Sequence, residues 1–247
     1  MSIFEPLRFH FHATGYALSA HFHRPVEVPV PAQASLALPI EGGHAHSGVD
    51  RFEIPRLVSF ESAQTHLSGS WQDGDTATSS VTVIVEDLRI LDFLTVERMV
   101  TRLTSEYKFD GKTSESHIIA VGSHFEGLRL GGFDVKVHLR HELLINSKTF
   151  ADLKKNVKKN GNVQVGDEVL LCSLVEKIET DLQDLPGVKI DGHTIKIPHF
   201  GKIALAEVFA GRGIRTLTML RFQLGSPDGG GGSSGSGSSN GQPPKGG

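Results

Sequence analysis

Long stretches of the chain alternate between apolar and polar positions with a period of two. Residues 79–88 (SSVTVIVEDL) do so with β-branched side chains, and 94–107 (LTVERMVTRLTSEY) continue the pattern. Successive side chains of a strand point to opposite faces, so this alternation predicts strands rather than helices. In the second run Leu94, Val96, Arg98, Val100 and Arg102 alternate with Thr95, Glu97, Met99, Thr101 and Leu103, so neither face is purely apolar. ESHIIAVGSHF, GFDVKVHLRHELLI, EVLLCSLVEKIE, VKIDGHTIKI, KIALAEVFA and RTLTMLRFQL follow at short spacing, punctuated by Gly131-Gly132 and Asp191-Gly192. Asp110-Gly111 adds a strong hairpin signal. The density of short strands predicts an all-β fold: a sandwich, a barrel or a strand-stacked architecture of antiparallel strands.

One segment departs from this period. In SKTFADLKKNVKKNG, Phe150, Leu153 and Val157 fall at i, i+3 and i+7, which predicts one short amphipathic helix near 149–160. Ser147 or Thr149 can cap its start and Asn160-Gly161 can end it. Lys148, Lys154, Lys155, Lys158 and Lys159 read as its solvated face, the alternative being a basic patch for an acidic partner.

Three blocks emerge. Residues 1–60 are N-terminal strands with a proline-rich segment, expected to pack as one domain with the β-rich body at 61–227. Residues 228–247 (DGGGGSSGSGSSNGQPPKGG) hold no large apolar side chain, and the composition predicts a disordered Gly/Ser-rich tail.

Composition narrows the classes. The 247 residues carry a formal net charge of −3, which provides no global attraction for nucleic acid or an anionic membrane. No apolar run approaches the ~18 residues of a transmembrane segment. The start, MSIFEPLRFHFHATGY, shows no basic region followed by an apolar run, as a signal peptide would. Cys172, the single cysteine, leaves no internal disulfide and reads as a small buried hydrophobe.

The 13 histidines are the compositional anomaly. His10/His12, His21/His23 and His44/His46 are spaced H-x-H, which on a strand places both imidazoles on one face. LRFHFHATGYALSAHFH reads as a hairpin around Thr14-Gly15, bringing His10, His12, His21 and His23 to one face with Arg8. Such a face can hold zinc or copper, and it is the candidate metal site; the plainer alternatives are a polar hairpin face and a pH-responsive one. His44 and His46 lie in GGHAHSG, which reads as a flexible loop.

Catalytic motifs fail. His141-Glu142-Leu143-Leu144-Ile145 begins like HExxH but has Ile145 at the second histidine position, and it falls in a strand-like run. Gly211-Arg212-Gly213 opens a dinucleotide fingerprint that Thr216 breaks. Glu86 and Asp87 should point to opposite faces, and Asp92/Glu97 and Glu126/Asp134 pair only if the fold brings them together. No catalytic or cofactor-binding residue is assigned, and the chain reads as a non-enzyme.

The segment from Asp75 to Val137 resembles the repeating unit of the bacterial choice-of-anchor P proteins. Val85, Leu88, Leu91 and Leu94 match its V-x-x-L-x-x-L-x-x-L connection. Gly122-Ser123-His124-Phe125-Glu126-Gly127-Leu128 with Gly131-Gly132 matches its closing element. Ile197, Pro198, Gly201, Ile203, Leu205 and Glu207 resemble a later strand of the same family, and GYALSAHFHRP resembles its entry strand. The resemblance implies a secreted or cell-surface β-protein and carries no catalytic residues.

The first functional expectation is therefore a non-enzymatic structural or interaction protein, extracellular or cell-surface. It would self-assemble through strand edges or bind cell-envelope or matrix components. A zinc- or copper-binding module or metalloenzyme on the histidine hairpin is the alternative. A carbohydrate- or ligand-binding β-domain is the third reading, with Trp71, Tyr16 and Tyr107 as its stacking residues.

Overall fold

The computed structural model describes residues 7–24, 26–113, 115–158, 164–165, 168–211, 214–225 and 229–244. The chain begins with β1 (His10–Phe22), β2 (Val28–Gln33), β3 (Leu36–Ala37), β4 (Gly43–Ile54) and β5 (Val58–Gln72). It continues through β6 (Thr76–Ile90), β7 (Leu94–Lys108), β8 (His117–Ile119), β9 (His124–Glu126) and β10 (Arg129–Leu130). Next come β11 (Phe133–Asp134), β12 (Lys136–Leu139), α1 (Glu142–Ile145), α2 (Phe150–Lys158), β13 (Gln164–Val165), β14 (Val169–Ser173) and β15 (Val175–Glu179). Last are β16 (Lys189–Asp191), β17 (Thr194–Ile197), β18 (Gly201–Gly211), β19 (Ile214–Leu224) and β20 (Gly230–Gln242). With 65% strand and 7% helix the fold is all-β.

Two large antiparallel sheets face each other as a sandwich. One runs β13-β14-β18-β19-β20-β1-β2 and the other β11-β10-β7-β6-β5-β4. Phe11, Leu18 and Phe22 from the first and Val81, Val83, Met99 and Leu103 from the second belong to one buried core. The N-terminal block contributes β1, β2 and β3 to one sheet and β4 to the other.

The Gly/Ser segment is not a tail. β20 is a central strand, paired with β1 along Phe22↔Gly230 to His10↔Gln242 and with β19 along Gln223↔Gly231 to Thr216↔Ser238. The ordering entropy of so many glycines is offset by hydrogen-bond ladders on both sides, a term that composition alone does not register. Lack of bulk is itself an asset at this position. A Cβ on Gly237 would lie 3.0 Å from Val81 of the opposite sheet. The hydroxyls cross the gap: Thr101 Oγ1 donates to the Gly235 carbonyl (2.7 Å) and Ser239 Oγ to that of Ser79 (3.0 Å).

The mixed faces seen in the alternation have a structural cause. In β6 the buried residues are Ala77, Ser79, Val81, Val83 and Val85, then Leu88 and Ile90. In β7 they are Leu94 and Val96, then Met99, Thr101, Leu103 and Ser105, with Val100 also enclosed. The inward parity therefore reverses in mid-strand, at Asp87 (φ 52°) in β6, while the register between β6 and β7 stays the same above and below. Both strands turn over together. Arg51 (φ 50°) in β4, Ala206 (φ 46°) in β18 and Gly235 (φ 60°) in β20 mark comparable reversals. A left-handed residue bends a strand and increases its twist, and here it exchanges the inward and outward faces of 15-residue strands without breaking their ladder.

The helix forms as its spacing predicts. Phe150, Leu153 and Val157 of α2 are buried. Thr149 is the cap: its Oγ1 accepts from Asp152 N (3.1 Å) while Asp152 Oδ2 accepts from Thr149 N (3.1 Å), a reciprocal capping box. Ser147 instead donates to the Leu143 carbonyl. Lys159, Asn160 and Gly161 lie outside the described residues, as do Arg212 and Gly213. The run at 141–145 is not a strand: Glu142–Ile145 is the helical turn α1, with Leu143 and Leu144 buried. Asp110 does organise the β7–β8 connection, its Oδ1 accepting from Lys112 N and Thr113 N (2.9 and 2.8 Å).

Candidate functional site

The expected hairpin at Thr14-Gly15 does not exist. β1 runs straight through both residues, because there the strand gains a ladder on each side, β20 on one and β3 on the other (Thr14↔Ala37, Gly15↔Leu36). Its parity reverses at Ala17-Leu18, both buried, so Phe9, Phe11 and Ala13 point inward before the reversal and Ala20 and Phe22 after it. The two H-x-H pairs thus share the outer side, yet His10 and His21 are eleven residues apart along an extended chain, roughly 36 Å. The four-histidine set His10, His12, His21, His23 is not brought together.

His21 and His23 do converge, with a residue the hairpin reading left out. Their rings lie 4.4 Å apart between centroids, and His21 Nε2 is 3.4 Å from Glu27 Oε1. One ligand atom from each of His21, His23 and Glu27 falls within 4.8 Å of the others, and all three side chains are exposed. The supporting backbone is fixed. Phe22, between the histidines, is fully buried, and His23 N donates to the Gly229 carbonyl (3.3 Å).

The third pair also meets new company. His44 and His46 lie on β4, not in a loop, and β4 pairs with β5 in the register His46↔His66. The His46 and His66 rings are 4.5 Å apart. With His44, Ser68, Ser80 and Thr82 they line an open hollow of about 400 Å³ on the outer face of that sheet. Partial burial, and then the neighbouring His46, lower the pKa of His66 below the usual imidazole range.

A buried charged cluster escaped the sequence reading. Glu207 on β18 is 6% exposed. Arg221 on β19 grips it in bidentate fashion, with Nε donating to Oε2 (2.5 Å) and Nη2 to Oε1 (2.7 Å). His193 Nε2 adds a contact at 3.2 Å. Burial works to raise the carboxyl's pKa, but His193 and Arg221 outweigh it and hold it down at about 2. The signal was present: the single acid of KIALAEVFA and Arg221 of RTLTMLRFQL, in strand-like runs that follow each other closely along the chain. The geometry is that of a structural ion pair filling the sheet face.

The other candidates are accounted for by packing. Cys172 is buried and its thiol is pushed up to about 12 by burial, against the opposing influence of Arg215 and Arg140. Glu126 engages His124 (2.8 Å) and Asp134 engages Arg129 (2.8 Å) rather than each other. Trp71 and Tyr107 join Phe9 and Phe109 in an aromatic cluster with Arg8 over the Trp71 ring (5.1 Å), while Tyr16 bonds Ser233. Among the described residues no helix is long and apolar enough to cross a membrane.

The architecture defines the class: an antiparallel β-sandwich of two large sheets whose outer faces are polar and histidine-bearing. Within that class the chain belongs to the family described as a domain of unknown function (DUF8256), whose model matches residues 9–167 and 152–210. No curated protein and no solved structure matches it.

Proposed function

We propose that the protein is a non-enzymatic interaction module that self-assembles through the edge strand β4. The observation that supports this reading is the edge itself. β4 spans Gly43–Ile54 at the border of its sheet, and among the described residues no strand pairs with its outer side. Two other borders are protected. β2 is six residues long and carries Pro29 and Pro31, and β11 is two residues long.

The chemistry of β4 favours a second copy as the added strand. His44, His46, Gly48 and Asp50 are exposed and Ala45, Ser47 and Val49 half-buried, in strict alternation. An antiparallel copy centred on Ser47 sets each His44 opposite Asp50 of the second copy and Ala45 opposite Val49, so polar and less exposed positions match across the pair. Arg51 and Glu53 at the far end, with Arg51 at φ 50° and ion-paired to Glu61 (3.6 Å), limit the pairing to residues 44–50. The resemblance to surface β-proteins with no catalytic signature supports the same reading.

Analytical ultracentrifugation tests it. The full chain should reach a dimer at high micromolar concentration, and Ser47→Lys, which sets two ammonium groups face to face on the two-fold axis, should stay monomeric with an unchanged circular dichroism spectrum. A wild-type chain that is monomeric at about 1 mM, or a Ser47→Lys dimer of equal strength, overturns the proposal.

A further inference from the structure

The geometry points to a second and independent site: a surface centre for a borderline divalent cation, zinc or copper, held by His21, His23 and Glu27. The three ligand atoms already lie within 4.8 Å of one another. Tetrahedral zinc with bonds of about 2.0–2.1 Å needs ligand atoms about 3.3 Å apart, so the remaining closure is about 1.5 Å at most. Rotation about the side-chain torsions of three exposed residues supplies that distance without moving the main chain. The main chain is the rigid part: Phe22 is anchored in the core, β1 is paired to β20 through His21↔Gly231, and to β2 through His21↔Pro29.

The donor set also selects the ion. Two neutral imidazoles and a carboxylate suit zinc and copper, whereas magnesium and calcium prefer oxygen alone. The Glu27 charge offsets half of the ion's, and His21 and Glu27 already face each other at 3.4 Å. Three protein ligands leave a coordination position open to water or to a donor from outside. The H-x-H spacing is common to three pairs in this chain, but among the described residues only this pair joins a carboxylate in a cluster of three such ligands. His10 and His12 lie at the far end of the same strand, and His46 has His66 as its neighbour.

Isothermal titration of the full chain, without an affinity tag, with Zn²⁺ tests the proposal. One equivalent should bind. His21→Asn, His23→Asn and Glu27→Gln should each weaken binding at least tenfold, whereas His10→Asn/His12→Asn and His46→Asn/His66→Asn should leave that equivalent unchanged. Co²⁺ at the same stoichiometry should show the strong visible absorption of a tetrahedral centre, lost in His23→Asn. Absence of binding, retention of full affinity in His21→Asn and His23→Asn, or equal affinity for Mg²⁺ would each overturn the assignment. All three side chains are exposed, so unchanged melting of the apo variants separates loss of the site from loss of the fold.

Discussion

Replacing Gly235 by valine interrogates the role of the Gly/Ser segment directly. Gly235 has φ 60°, a region where a side chain costs about 1–2 kcal/mol. Its Cβ would lie 2.8 Å from Thr101 Oγ1 and 2.9 Å from the Met99 methyl, so a branched side chain overpacks the gap between the sheets by a further 1–3 kcal/mol or so. Displacing the Thr101 hydroxyl from the Gly235 carbonyl removes about 0.5–1.5 kcal/mol more. The total is about 3–6 kcal/mol, a large fraction of the 5–15 kcal/mol or so that holds a typical domain. For a chain of this length each kcal/mol moves Tm by about 2–4 °C, so a drop of about 6–24 °C is expected by differential scanning calorimetry. Gly48→Val is the control: there the nearest atoms are at 3.6–3.8 Å, ordinary contact distance, and the strand is at an edge. If Gly235→Val melts with the wild type, β20 is not the central strand and the account of the sandwich is wrong.

Other outcomes follow from the same structure. Glu207, held at about 2 against an ordinary 4.5, binds fewer protons folded than unfolded. Its stabilisation is therefore complete above pH 4.5 and lost as pH falls towards 2; the shift corresponds to about 3 kcal/mol, reduced to about 2–3 by the half-exposed Arg221. Urea titrations of wild type and Glu207→Gln should differ by that amount at pH 7 and converge near pH 2; a constant gap would discard the ion-pair account. Cys172, with its thiol near 12, should resist a thiol-specific disulfide reagent at pH 8 until the protein unfolds. Immediate stoichiometric reaction would show the thiol to be accessible. His66 has a lowered pKa, so folding favours its neutral form, and stability should decline as pH falls below the ordinary imidazole value of 6.5. His66→Gln should lessen that decline in the same denaturation assay.

The strand content, the helix at Phe150–Lys158 and the burial of Cys172 were all legible in the linear sequence. Each rests on local information: side-chain alternation, a 3.6-residue stripe, a small thiol among aliphatic neighbours. Two of the three candidate metal ligands, His21 and His23, were legible for the same reason, since positions i and i+2 of an extended segment are local. Glu27 was not, because its approach depends on how the chain returns from β1 to β2. Nor was the separation of His10 from His21, because whether Thr14-Gly15 bends is decided by the ladders offered by β20 and β3, both set by pairing beyond the local segment. The face of a strand was readable only up to Ala17, Asp87 or Glu97, where the parity reverses. Most of all, the Gly/Ser run at 229–242 shows where composition stops. Alone it has too little apolar surface to order itself, and only the gap between β1 and β19, closed on one side by Val81 and Thr101, makes a strand without bulk the one that fits.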